Sequence, residues 1–478
     1  MDLKKNIIVA TKWSSITELA AKLVTPISTI VLARLLTPEA FGILVTATMI
    51  ISFAELFTDA GFHKYLIQHE FNSEDDERKS TAVAFWSNLV LSLLIWGIIC
   101  VFAYPIARLV GCSGYEMVIP VSCICIPLSA FSSIQSALFK RHFDFRTLFY
   151  VRLVGILLPL LVTIPLAAIT RSFWSLIIGM LALNLSNAII LTVKSSWKPS
   201  IYFDRVRFKE MLSFSIWSMF ESVTIWLTSY IDAFIVGSFL NQYYLGVYRT
   251  SITVVGQIIG IVTAATTPVL YSSLSRLQND DNQFLSLFFK FQKTVGMLVI
   301  PLGVGIFLFR DLVVAMLLGN QWAEAAYFVG IWGLTSSITI VLSHYSSEVY
   351  RSKGKPKFSV VAQLLHIIVL CPVILLFVNK GFENLCTART VVRFELIIVN
   401  LIIMHAFFKI SSLKMIFNVS PAIMASLIMA SVYYLLPEPS NILFKMAYVP
   451  ICIVVYFLVI LLFKNERDII KTIKKKML

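Results

Sequence analysis

Charge is what this sequence lacks most. Asp and Glu number 26 and Lys and Arg 40 in 478 residues, so charged types reach 14% while hydrophobic types reach 58%. A soluble domain carries about 25% charged residues. A chain this poor in charge cannot cover itself with a water-facing surface, and its hydrophobicity also excludes the disordered and fibrous classes. Cysteine is sparse as well, at Cys100, Cys112, Cys123, Cys125, Cys371, Cys386 and Cys452. Cys123 and Cys125 stand closer than a CxxC pair and have no His or Cys at ligand spacing. They read as small buried hydrophobes, not as metal ligands or a disulfide frame. The histidines likewise form no metal spacing, and His366, deep in an apolar run, reads as a satisfied core residue. A glycine-rich phosphate loop is missing, since the "GVG" at 303–305 lies inside an apolar run. Kinase and hydrolase signatures are missing too. The expectation is a protein that is not an enzyme, has no catalytic residues and no metal, and does not use ATP directly.

What is present is long apolar stretches. A membrane helix needs about 20 mostly apolar residues. Fourteen candidates occur, at 12–33, 41–63, 81–103, 115–138, 148–169, 172–193, 211–236, 243–269, 290–309, 325–349, 358–378, 382–404, 420–436 and 443–463. The first carries Lys12, Glu18 and Lys22 and is too long and polar for a cleaved signal peptide, so it is expected to remain. With the N-terminus placed in the cytoplasm, 28 of the 40 Lys and Arg fall in inner segments or at the inner end of a span. Only 5 (Arg34, Arg108, Arg171, Arg310 and Lys380) fall in outer ones. That asymmetry follows the positive-inside rule and predicts an even number of spans with both termini cytoplasmic. The net charge of +14 therefore lies at the inner leaflet. Anionic lipid headgroups, not nucleic acid, are the partner it suits. The basic tail 464–478 reads as a topology anchor, and "SEDDERKS" near residue 75 as a solvated linker.

The chain also looks duplicated. "IVLARLLTPEAFGILV" at the first hairpin resembles "IVGSFLNQYYLGVY" at the seventh-to-eighth hairpin, pairing Gly42 with Gly246. "FAYPIARLVG" ends at Gly111 as "FRDLVVAMLLG" ends at Gly319. Six spans separate the copies, so both have one orientation, a parallel repeat of the kind transporters use to move two lobes about a central cavity.

The stretch "LARLLTPEAFGILVTATMIISFAELFTDAGF" at 32–62 resembles the start of polysaccharide exporters of the multidrug/oligosaccharidyl-lipid/polysaccharide flippase superfamily. The branch it resembles is the lipopolysaccharide O-antigen and colanic-acid type of lipid-linked oligosaccharide flippase. "FKRHFDFRTLFYVRLVG" at 139–155 and "IDAFIVGSFLNQYYLGVYRTS" at 231–251 are similar to connections of that branch. The resemblance implies an all-α polytopic membrane protein with two six-helix lobes in a V and two appended helices. Its expected divisions are an N-terminal lobe 1–193, a cytoplasmic linker 194–210, a C-terminal lobe 211–404, helices 13 and 14 at 405–463, and a basic tail 464–478. It further implies a monomer in the bacterial inner membrane, working beside polysaccharide polymerase machinery. The implied activity moves undecaprenyl-diphosphate-linked repeat units outward, driven by an ion gradient of H+ or Na+, with no other cofactor.

Ionisable groups within spans are costly if they face lipid, so each one asks for a cavity or a partner. Lys22, one helical turn from Glu18, is a candidate for binding diphosphate or a glycan acid, with Glu18 holding it. Arg389 and Arg393 share a face and repel unless a buried anion or unseen carboxylates offset them. Arginine offers planar bidentate donors to phosphate. Arg152 is a candidate for capture at the inner entrance, or a residue snorkelling to headgroups. Glu55 and Asp59, at i and i+4, disfavour double ionisation and suit ion coupling. Glu221 is a lone acid in the seventh span, a candidate for coupling or for pairing a cavity arginine. Asp232 and Arg249 are expected to pair between helices, Glu395 to pair with another helix, and Glu348 to be wet at the inner face. Pro26, beside the charged turn of the first span, is a hinge candidate.

Three rival functions stay open from the residues. A cation-driven exporter of small drugs predicts an acidic cavity, against Lys22, Arg389 and Arg393. A peptidoglycan-precursor lipid flippase would share most features. A membrane glycosyltransferase or polymerase would need a sizeable catalytic loop, and every connection here is short.

Overall fold

The computed structural model describes residues 13, 21–22, 24–59, 61–437 and 442–477. Every described element is helical. In chain order they are α1 (Val24–Leu35), α2 (Pro38–Thr58), α3 (Phe62–Gln68), α4 (Glu74–Val101), α5 (Ala103–Leu109), α6 (Val118–Ser122), α7 (Cys125–Arg141), α8 (Phe145–Leu158), α9 (Ile164–Thr170), α10 (Trp174–Lys194) and α11 (Arg205–Phe239). There follow α12 (Gln242–Arg276), α13 (Asp281–Leu308), α14 (Arg310–Leu317), α15 (Ala325–Thr339), α16 (Tyr345–Ser352), α17 (Lys357–Phe377), α18 (Phe382–Phe408), α19 (Ser412–Leu435), α20 (Ile442–Ile460) and α21 (Lys464–Met477).

Among the described residues, 12 helices are long and apolar enough to cross a membrane, or up to 13 if the pair formed by α20 and α21, bent by 110°, makes one span. The protein is a multi-pass membrane protein. The expected fourteen is therefore approximate. The first expected span, 12–33, lies partly outside the described residues, and α1 alone is too short to cross.

The helix ends follow the sequence. On the Lys- and Arg-rich side, side-chain caps start the helices: Ser73 accepts from the Asp76 amide, Asp144 from Thr147, Asp204 from Val206, Asp280 from Gln283 and Ser411 from Lys414. Each satisfies a backbone donor the helix leaves open. On the other side the turns use glycine. The repeat-related Gly111 and Gly319 both take positive φ, 67° and 100°, where a side chain would be strained. Arg171 makes the tight turn between α9 and α10 with φ 48°.

The chain forms two compact units, Met1–Arg249 and Thr250–Leu478. The first takes in α11 and the start of α12 as well as the helices before residue 194, because the seventh-to-eighth hairpin seals onto the first. Gly42 of α2 and Gly246 of α12, the two glycines matched by the repeat, meet there. A Cβ on Gly42 would run into the Gln242 carbonyl, and one on Gly246 into the Pro38 carbonyl. Gln242 completes the seal. Its Oε1 accepts from Thr46 at 2.9 Å and its Nε2 donates to the Gly111 carbonyl at 2.9 Å. Cys112, Cys123 and Cys125 lie in the apolar core of this unit beside Met49 and Ile126, as small hydrophobes.

In the second unit, α13 packs between α15 and α19. Several polar groups inside its spans are bonded to each other, which lowers the cost of holding them in hydrocarbon. Tyr350 donates to Asn400 at 2.8 Å, Asn400 to Ser343 at 2.9 Å, and Asn418 to Gln292 at 3.0 Å. Glu348 is not wet. It is 1% exposed and holds Arg351 at 2.6 Å, because α16 continues the span through a π-turn at Ile340–His344 and rolls Glu348 inward. The basic tail begins as α21, whose buried Glu466 pairs with Lys293 of α13 at 2.9 Å.

Candidate functional site

Two polar cavities adjoin in the first unit, and one sharp turn creates both. At the end of α2 the chain passes through Gly61, at φ 81°, and continues as α3. The Phe62 amide donates to the Asp59 carbonyl at 2.7 Å, closing the turn. The turn leaves the charges of His63 and Lys64 within reach of Asp59. Glu55, Asp59 and Lys64 line a cavity of about 310 Å³ with Ser52, Asn88, Ser129, Ser133 and Ser222. Among the described residues, one Asp59 carboxylate oxygen is buried with no hydrogen-bond partner. The expected i, i+4 carboxylate pair thus lines one cavity, with a lysine in its wall.

The second cavity, of about 540 Å³, lies between α3, α7, α8 and α10. Lys140 and Arg152 bring its positive charge, and His63, Ser132, Ser133, Ser136 and Asn187 its neutral polar groups. Ser133 lines both cavities, and the His63 ring contacts it from the second. Its Nδ1 lies 3.1 Å from the Ser133 carbonyl, and its Nε2 lies 3.2 Å from Lys140 Nζ. A carbonyl only accepts, so Nδ1 carries the proton and Nε2 accepts from the ammonium. Burial and the Lys140 charge beside it lower the His63 pKa from the ordinary value, in keeping with a neutral ring.

The second unit places the other arginines. Arg389 and Arg393 of α18 both lie over the Trp332 ring of α15, with guanidinium carbons 5.0 and 4.0 Å from its centroid. Arg393 also donates to Ser336 Oγ at 2.6 Å. An aromatic face thus receives both cations, each within the range of a cation–π contact. Glu395 turns the other way and meets His366 of α17 at 2.9 Å, as a pairing with another helix required.

The remaining candidates are dispersed. Lys22 is exposed and Pro26 half-buried in α1. Glu18 lies outside the described residues, as does the side chain of Glu221, whose backbone belongs to α11. Asp232 and Arg249 do pair, at 3.9 Å, within the first unit. Asp232 is 2% exposed and also accepts from Tyr248 at 2.9 Å and from the Ala233 amide at 2.8 Å. This is a structural junction of α11 and α12. Removing one partner of a buried pair strands the other, at a cost of about 3 kcal/mol or more. Asp232→Ala is accordingly expected to lower the melting temperature of the detergent-solubilised protein well below that of Tyr248→Phe, which removes a single hydrogen bond worth about 1 kcal/mol. Equal melting of the two variants would show that the ion pair contributes nothing.

His63 and Trp332 were missed as site residues. Asp59 followed by Gly61 signals a turn, which would have placed His63. Trp332 lies on another span and had no local signal.

Comparison with known proteins fits these observations. The chain is 22% identical over 377 residues to an uncharacterised membrane protein in the cps region of Klebsiella pneumoniae, covering 78% of this chain and 77% of that one. It is 23% identical over 310 residues to the succinoglycan biosynthesis transport protein ExoT of Rhizobium meliloti (strain 1021), covering 64% of this chain and 62% of ExoT, under two thirds of its length. In fold it is similar to the lipid II flippase MurJ in an inward closed conformation. The TM-score is 0.74 at 14% identity, covering 95% of this chain and 99% of that one. Finally, the polysaccharide biosynthesis protein family matches residues 31–327, more than half of the sequence and all three stretches that carry the resemblance, so the chain belongs to that family.

Proposed function

We propose that this protein moves undecaprenyl-diphosphate-linked oligosaccharide repeat units from the cytoplasmic to the outer face of a bacterial inner membrane, by alternating access. The observation that carries this reading is the basic cavity of the first unit, where Lys140, Arg152 and His63 face a space of about 540 Å³. Ionisable groups are kept among membrane helices at a cost, and mark the path of what is moved. Cationic walls suit an anionic headgroup and oppose cationic drugs. Family membership, a relative titled a transport protein and a flippase-like fold support the same reading. The glycan crosses hydrated while its prenyl tail stays in the bilayer, and no bond is made or broken.

In the same reading the Glu55 and Asp59 cavity is the coupling site for H+ or Na+. The termini are cytoplasmic, anionic inner-leaflet lipids hold the basic tail, the chain works as a monomer, and polymerase machinery receives the product.

The test uses purified protein in proteoliposomes holding a lipid-linked repeat unit and a cationic dye. Glycan of the inner leaflet becoming accessible to a membrane-impermeant oxidant, with the dye unmoved, is the expected result. Dye efflux without glycan movement would replace this reading by the drug exporter. Faster movement of a peptidoglycan-precursor lipid than of the oligosaccharide lipid would replace it by that flippase.

A further inference from the structure

We propose that the cavity between α3, α7, α8 and α10 is a binding site for a phosphate-class anion, held by Lys140 and Arg152, and that His63 sets its strength through its contact with Lys140. The identity of that anion as the diphosphate of the substrate rests on the proposed translocation. The site itself rests on the geometry.

Lys140 and Arg152 line one cavity from different helices, and Ser136 and Asn187 supply neutral donors around them. An oxyanion needs this combination, two cations for charge and hydroxyl or amide donors for the remaining lone pairs. In the structure Lys140 is engaged elsewhere. Its ammonium lies 3.2 Å from His63 Nε2. The imidazole can accept there only while neutral, since Nδ1–H is committed to the Ser133 carbonyl. A proton added at Nε2 would face the ammonium, turn an attraction into a repulsion and free Lys140 toward Arg152. It would also add a third positive charge to the cavity wall.

The charges acting on His63 come from Lys140 on α7 and Lys64 on α3 itself, which favour the neutral ring, and from Asp59 at the end of α2, which favours the protonated one. Among the described residues, no charge on the other helices packed on α3 acts on it. From α4, Asn88 reaches Ser133 at 3.1 Å, while Asp76 of α4 and Glu210 and Arg207 of α11 act on Tyr65. Arg152 reaches the same cavity from α8, and α10 contributes the uncharged Asn187. Proton and anion therefore favour each other. An anion in the cavity stabilises the protonated ring, and by linkage the protonated ring tightens the anion. Burial and Lys140 hold the His63 pKa below the ordinary imidazole value and a bound anion opposes that shift, so the effect belongs to the acidic end of the range.

The experiment uses the full chain in lipid nanodiscs and P1,P2-dimethyl diphosphate, whose charge is constant over the pH range used. Calorimetric titration is expected to show binding that tightens about fivefold as pH is lowered from about 8 to about 5.5. Lys140→Ala and Arg152→Ala are each expected to weaken it about tenfold, with Lys140→Arg close to wild type as the control for folding. His63→Gln is expected to bind with no pH dependence. The same diphosphate on a prenyl chain in the nanodisc separates the sources. Tighter binding of the lipid form assigns the site to a headgroup, and equal binding assigns it to a free anion; both support the site. No binding of either form, or affinity unchanged in Lys140→Ala and Arg152→Ala, overturns the site. An unaltered pH slope in His63→Gln overturns the role of His63. Glycan translocation without anion binding here would remove the site and leave the proposed function standing. Anion binding without translocation would do the reverse.

Discussion

Gly246→Ala is expected to stop transport while leaving the protein folded. The added Cβ meets the Pro38 carbonyl and crowds the Gly42 amide, both of them backbone atoms that cannot swing aside as a side chain would. Helices α2 and α12 must separate, and overpacking of this kind costs about 2 kcal/mol. That is enough to shift a two-state equilibrium by roughly thirtyfold. If the α2–α12 seal closes and opens in each cycle, the variant spends its time open at this end. Thr46 and Gln242, whose side chains bond at 2.9 Å, provide the probe. In a Thr46→Cys/Gln242→Cys background, disulfide formation is expected to fall more than tenfold on adding Gly246→Ala, with glycan translocation lost in parallel. Undiminished crosslinking would show that the glycine contact is not the seal.

The second large effect lies in the other unit. Trp332 is 7% exposed and Arg389 8%, so the ring and one of its two cations are out of water together. Trp332→Ala removes a large buried side chain, at about 3–5 kcal/mol. It also takes away the aromatic face under both guanidiniums. A strong fall in thermal stability is expected in the absence of any substrate, with Trp332→Phe recovering most of it. If Trp332→Ala left stability intact but abolished translocation, the arginines would be substrate ligands, as their spacing alone suggested, and not parts of a packed cluster.

What the sequence made legible is what repeats along it. Apolar length marked the spans, basic residues ordered the turns, and Gly42 and Gly246 were matched as repeat partners before the structure placed them in contact. The carboxylates Glu55 and Asp59 were visible because i and i+4 share a helix face. Their neighbours were not, since Lys140 reaches His63 from 77 residues away and Trp332 meets Arg389 from another span. Such pairs depend on which helices pack together, which helical periodicity does not encode. Glu348 shows the same limit from the other side. Its place near the end of a span suggested water, but a π-turn changed the face it presents.

The central claim is translocation of a lipid-linked glycan, and its most direct measurement is sidedness in native membranes. Sealed vesicles of known orientation would be prepared from cells that make the glycan, with and without this protein, and treated with a membrane-impermeant glycan label. The account predicts lipid-linked repeat units on the outer face only when the protein is present, and their retention on the cytoplasmic face without it. The same distribution on both faces in the two preparations would contradict it.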